Sequence, residues 1–181
     1  MATTSIGNAP VTTAHYARFA ASLVSGCAAA LIGGVVMAVV MVVAFAALHH
    51  TSLLYPLRPI GAFLYGDRML EAPTAGMYVA ATALHFGVCA LWGIIFAFSA
   101  TLLRCDDSIG GSLALGIVIG LASQIIDVNL VAPALMDSLW GEDLWTGHVP
   151  PAYSWLAHVA FGLSFAVAPL FFRRLWPRWS S

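Results

Sequence analysis

The chain has 181 residues, of which 61% are hydrophobic and 8% charged, with a formal net charge of −1 and a mean hydropathy of +0.90. Soluble domains carry about 25% charged residues, so a soluble globular fold is excluded. The near-neutral charge also argues against nucleic acid as a partner.

Residues 1–18 form an N-terminal tail that ends at Arg18. From Phe19 to Leu57 there is no Asp, Glu, Lys or Arg, and the same holds from Ala72 to Leu103, Ser108 to Ile126 and Leu144 to Phe172. A helix needs about 20 apolar residues to cross roughly 30 Å of hydrocarbon, so each run predicts one transmembrane helix. None alternates apolar and polar residues as a barrel strand does. The expected fold is all-α: a polytopic membrane protein whose four-transmembrane-helix bundle is built from two similar helical hairpins. The first hairpin covers 19–104 with an outer loop at 49–73, the second covers 108–175 with an outer loop at 133–151, and the chain is a single membrane domain.

The first run is longer than the roughly 7 to 15 apolar residues of a cleavable signal peptide. Val24-Ser25-Gly26-Cys27 matches a bacterial lipoprotein cleavage motif, but a long apolar stretch follows it where a polar tether is expected. Cys27, Cys89 and Cys105 fall within or at the inner ends of helices and suit no disulfide.

Orientation follows from the arginines, because the chain has no lysine. Arg18, Arg104, Arg173, Arg174 and Arg178 flank the N-terminus, the second loop and the C-terminus, against Arg58 and Arg68 in the first loop. The positive-inside rule places both termini in the cytoplasm. The outer loops then hold Asp67, Glu71, Asp137, Glu142 and Asp143, with Trp140, Trp145, Tyr153 and Trp155 as an outer aromatic belt and Trp176 and Trp179 as an inner one.

The two hairpins echo each other. Leu64-Tyr65-Gly66-Asp67 in the first outer loop is matched by Leu139-Trp140-Gly141-Glu142 in the second, with Pro56 before one and Pro133 before the other. His85 follows Gly66 by nineteen residues and His158 follows Gly141 by seventeen. Both halves run the same way, so an internal repeat about an axis along the membrane normal is expected. Small residues recur every four positions: Gly26, Ala30 and Gly34; Cys89, Gly93 and Ala97; Ser112, Gly116 and Gly120; Gly162 and Ala166. Such stripes let helix backbones approach closely in lipid.

His85 and His158 lie on these stripes, roughly 12 Å and 9 Å below the outer ends of their helices at 1.5 Å per residue. Ser123, Gln124 and Asp127 come late in helix three, and His49 and His50 end helix one on the same side. An ionisable residue in a membrane helix is costly unless paired and marks a functional site by default. Three readings stay open. The histidines can be hydrogen-bonding glue between the halves. They can bind haem b as axial ligands, or copper with Met37, Met41, Met77 and Cys89, a thioether, imidazole and thiolate set. With Asp127 they can relay protons, although little polar continues the path inward and conduction would need an oligomer. No nucleophile triad, phosphate loop or zinc-protease motif is present.

Leu84-His85-Phe86 through Phe96-Ala97, Gly116, Gly120, Gln124, Pro133, Leu156-Ala157-His158 and a helix ending at Arg173-Arg174 resemble the small bacterial inner-membrane proteins of the YagU type and related uncharacterised four-helix families. The likeness spans roughly the last hundred residues. It implies a helical inner-membrane protein, with an acid-stress role for the named member, and it brings no catalytic residues. The expectation is a bacterial inner-membrane protein without enzymatic activity of its own. Its role would be structural or accessory, in contact with lipid and with other membrane subunits or further copies of itself.

Overall fold

A computed structural model of the protein describes residues 11–49 and 52–179. Four helices are long and apolar enough to cross a membrane: His15–Ala47, Ala75–Leu103, Ile109–Trp140 and Pro151–Trp176. In chain order the elements are α1 (Val11–His49), α2 (Leu57–Tyr65), α3 (Asp67–Glu71), α4 (Ala75–Leu103), α5 (Ile109–Ser123) with a π-wound extension (Gln124–Val131), α6 (Ala132–Trp140), α7 (Pro151–Ser164), a 3-10 turn (Phe165–Val167) and α8 (Ala168–Trp179). The protein is therefore an all-α, multi-pass membrane protein, a four-helix bundle with large aliphatic side chains such as Val79, Leu102 and Val118 on its lipid-facing exterior.

Around the bundle, α1 packs on α4 and on α7 and α8, and α5 packs on α7; the seam between α4 and α5 is looser. Glycines set the tight seams. A Cβ on Gly26 would stand 2.7 Å from the Gly93 carbonyl oxygen, one on Gly93 would stand 2.8 Å from Ala30 Cβ, and one on Gly34 would stand 2.9 Å from Cys89 Sγ. On the other hairpin, Gly116 and Gly162 lie against each other's carbonyl oxygens and Gly120 lies against that of His158. Without a hydrophobic advantage in lipid, this close backbone contact is what holds the helices together. Phe96 stacks on Phe165 at 4.2 Å, and Phe161 meets Phe165 edge-on at 5.3 Å, filling the bundle centre.

The first helix of each hairpin is the longer one. At 33 residues, the apolar part of α1 measures about 50 Å and outreaches the bilayer core. The third helix, expected to yield to an outer loop at residue 133, instead runs through Pro133 to Trp140. Proline can be carried because it enters as the first turn of α6. Its missing N–H would otherwise have bonded the Asn129 carbonyl, and the ladder just before it is wound as π. That winding suits a hydrogen bond from Gln124 Nε2 to Asn129 Oδ1 at 3.0 Å, five residues on. In the fourth helix, Pro169 follows the 3-10 turn in the same way.

At the end carrying the termini, Arg18 clamps the buried Asp106, Nε to Oδ2 at 3.0 Å and Nη2 to Oδ1 at 2.5 Å. Its guanidinium lies 5.9 Å from the Phe172 ring centroid, so one residue joins α1, the α4–α5 turn and α8. The opposite end is capped by α2, α3 and α6. Arg58 there donates to the Leu70 carbonyl at 2.8 Å and to Tyr78 Oη at 3.3 Å. The glycines of the two echoed motifs end α2 and α6 with positive φ, 56° at Gly66 and 80° at Gly141, and the Trp140 ring packs on Gly66. Of the predicted outer belt, Trp140 and Trp155 are exposed. Tyr153 is half-buried, edge-on to Phe45 at 5.4 Å, and Trp145 packs on Phe63 at 6.1 Å. Trp176 stacks on Phe172 at 6.1 Å; the Trp179 side chain lies outside the described residues.

Candidate functional site: a pocket in the capped half of the bundle

Between the aromatic stack and the cap of α2 and α6 lies a cavity of about 440 Å³. Small-molecule sites span about 300 to 1,000 Å³, so this one has room for a compact ligand. Its lining reaches the surface of the bundle, since Leu53, Leu54, Val131 and Leu135, 68%, 50%, 46% and 41% exposed, are among its residues. Most of its wall is aliphatic and aromatic. The polar groups on α4, α5 with its π extension, and α7 are Thr82, His85, Cys89, Trp92, Ser123, Asp127, Ser154 and His158.

Each polar side chain is held by a specific bond. His85 Nε2 lies 3.0 Å from the Gly34 carbonyl oxygen, which can only accept, so this nitrogen carries the proton and Nδ1 is left as a lone-pair acceptor. His158 Nδ1 is 2.8 Å from the Ser154 carbonyl oxygen, which leaves Nε2 as the acceptor. Asp127 accepts from Trp92 Nε1 at 2.6 Å, a bond across the α4–α5 seam. Ser154 Oγ donates to Gln124 Oε1 at 2.7 Å, tying α7 to the π segment. Cys89 Sγ sits 3.9 Å from His85 Nε2.

The structure thus brings together His85, His158, Ser123 and Asp127 around one cavity and places Gln124 directly behind it, fully buried. His50 lies outside the described residues, as does the side chain of His49. Of the soft-ligand set, Met37, Met41 and Cys89 line the cavity, whereas Met77 packs with Met69 and Ala81 beneath the cap. Eight residues at 100° each turn Met77 about 80° away from His85 around α4. Among the described residues no group of three or more His, Cys, Asp or Glu converges as a metal site. For haem, His158 is oriented as ligating histidines are, with Nδ1–H on a carbonyl. His85 is not, because its Nε2 is on Gly34.

Two functional residues carry weak sequence signals. Trp92 lies seven residues after His85, the same helix face, but an indole in a membrane helix reads as an ordinary apolar residue. Asp106 reads as a solvated turn carboxylate, yet its side chain is 1% exposed against Arg18. The cysteines Cys27, Cys89 and Cys105 are free thiols. Outside the membrane-spanning segments, burial, followed by the neighbouring Asp106 charge, pushes the Cys105 thiol above the usual range.

No family model, curated protein or solved structure matches the chain.

Proposed function

We propose that this chain is an accessory protein of the bacterial inner membrane that takes a small amphipathic molecule from the bilayer into the pocket and holds it there, without chemistry of its own. The observation that supports this is the cavity of about 440 Å³ whose lining includes residues exposed on the bundle surface together with His85, Trp92, Asp127 and His158. Apolar walls with a few convergent polar groups are what small-molecule sites have in common, and π winding often marks functional positions. The echoed hairpins support a common origin for the two halves, and the arginine distribution supports cytoplasmic termini.

Haem is the weaker reading, because ligation through His85 Nε2 would break its bond to Gly34. A proton path through a single chain is weaker still. Phe96, Phe161 and Phe165 stack below the cavity, and the buried Ser22 and Ser25 beyond them already donate to backbone carbonyls.

Native mass spectrometry of protein taken from its own membrane in mild detergent tests the reading. The expected result is a bound small molecule, or saturable uptake of an apolar fluorescent probe. Val128→Trp, which fills the cavity from its half-exposed wall, should abolish either one. A wild-type protein that shows neither overturns the proposal.

A further inference from the structure

We infer that the ligand of this pocket is a lipophilic ammonium, an apolar body with a cationic, hydrogen-bond-donating head that pairs with Asp127. The inference rests on the pocket being a ligand site and deepens that reading.

The polar side of the cavity offers acceptors, and its strong donors are in use. Trp92 Nε1 donates to Asp127. Thr82 Oγ1 donates to the Tyr78 carbonyl at 2.8 Å, Ser123 Oγ to that of Gly120 at 2.9 Å, and Ser154 Oγ to Gln124. Left over among the lining side chains are the acceptors His85 Nδ1, His158 Nε2 and the second oxygen of Asp127. The remaining donors are the weak Cys89 thiol and the Trp145 indole, which belongs to the cap with Ala62 and Met136. A ligand with acceptors only, such as a ketone or an ester, meets no matching group on this side.

Charge makes the same selection. Asp127 lies in the membrane-crossing helix Ile109–Trp140. Among the described residues it has no basic partner: the salt bridge there joins Arg18 to Asp106, and no arginine lines the cavity. Carboxylates in the membrane interior are costly without a counter-charge. An ammonium supplies that charge and N–H donors in one group, which suits a cavity whose lining holds a carboxylate without a cation and two imidazoles. Trp92, whose indole is anchored at the carboxylate, adds an aromatic ring suited to a cation.

The test uses the full chain in nanodiscs of zwitterionic lipid and three probes of one shape: naphthylethylammonium, naphthylethanol and a naphthyl ketone. The ammonium should bind at least about tenfold more tightly than the ketone, the ratio expected of hydrogen bonds to a charged group. Asp127→Asn, whose amide oxygen still accepts from Trp92, should remove most of that preference by weakening ammonium binding. Equal binding of ammonium and ketone overturns the ligand class while the pocket reading stands. A preference that survives Asp127→Asn also overturns it, as expected if a proton already neutralises the carboxyl. Binding of none of the three above empty discs, with Val128→Trp no different from wild type, overturns the pocket reading itself.

Discussion

Trp92 and Asp127 are joined across the loosest seam of the bundle, indole N–H to carboxylate oxygen at 2.6 Å. The bond fixes the π-wound part of the third helix against α4 and so sets the width of the pocket mouth. It also gives the half-buried carboxylate its protein donor. Trp92→Phe should therefore destabilise the protein by about 2 kcal/mol, the scale for a hydrogen bond to a charged group. Adding Asp127→Leu to that variant should recover part of the loss, because no unpaired carboxylate is then left. Thermal unfolding of the two variants in one detergent provides the comparison, and a double variant less stable than Trp92→Phe would contradict the assignment.

The glycine seams give a paired prediction. Gly162→Ala places a methyl group against the Gly116 carbonyl, whereas a Cβ at the exposed Gly87 meets nothing within 4 Å. Overpacking costs about 1 to 3 kcal/mol, so Gly162→Ala should lower stability by that amount. Gly87→Ala should raise it by about 0.5 to 1 kcal/mol through helix propensity. Unfolding in mixed micelles of increasing denaturing-detergent fraction would rank the three proteins.

Breaking the clamp at the terminal end should be costly in one direction only. Arg18→Gln leaves the buried Asp106 carboxylate without its cation, a loss of about 2 to 3 kcal/mol. This is below the range for wholly buried pairs, because the Arg18 side chain keeps 32% exposure. Arg18→Met with Asp106→Leu should lie closer to wild type than Arg18→Gln alone. Thermal melts of the single and double variants would decide it.

Cys105 reports both pH and topology. Burial and the Asp106 charge raise its pKa, so less thiolate is present at neutral pH than for an ordinary cysteine, and labelling should be slow there and accelerate as pH rises. In a Cys27→Ala, Cys89→Ala background, a membrane-impermeant maleimide should reach Cys105 in inverted vesicles and fail to reach it in right-side-out ones. The reverse pattern would invert the proposed orientation.

Backbone strain at the end of α4 gives a further prediction. Arg104 is the non-glycine residue with positive φ among the described residues, 55°. It closes a helix end in which Cys105 N–H reaches the Ala100 carbonyl at 3.0 Å. Glycine takes this conformation without a Cβ penalty, so Arg104→Gly should stabilise the fold by about 0.5 to 1 kcal/mol. Thermal unfolding of this variant against wild type checks the sign.

The sequence by itself determined the solvent and the architecture. A chain that is 61% hydrophobic and 8% charged must satisfy its backbone polar groups internally in lipid, and helices do so segment by segment. Four uninterrupted apolar runs therefore read directly as four crossings, and small residues every fourth position indicated which helix faces meet. The inward placement of His85 and His158 was legible for the same reason, since both lie on those stripes.

Tertiary structure alone decided what those residues face and what they bond. Helical periodicity tells which side chains share a face, but not which seam is tight and which is loose. That difference depends on glycine meeting glycine between α5 and α7 while α4 and α5 diverge around Asp127. Trp92 as a carboxylate donor, Arg18 as the partner of Asp106 and Gly34 as the acceptor for His85 link residues 35, 88 and 51 positions apart. Such pairings arise only when separate helices pack, because hydrogen bonding is short-ranged in space and indifferent to separation along the chain.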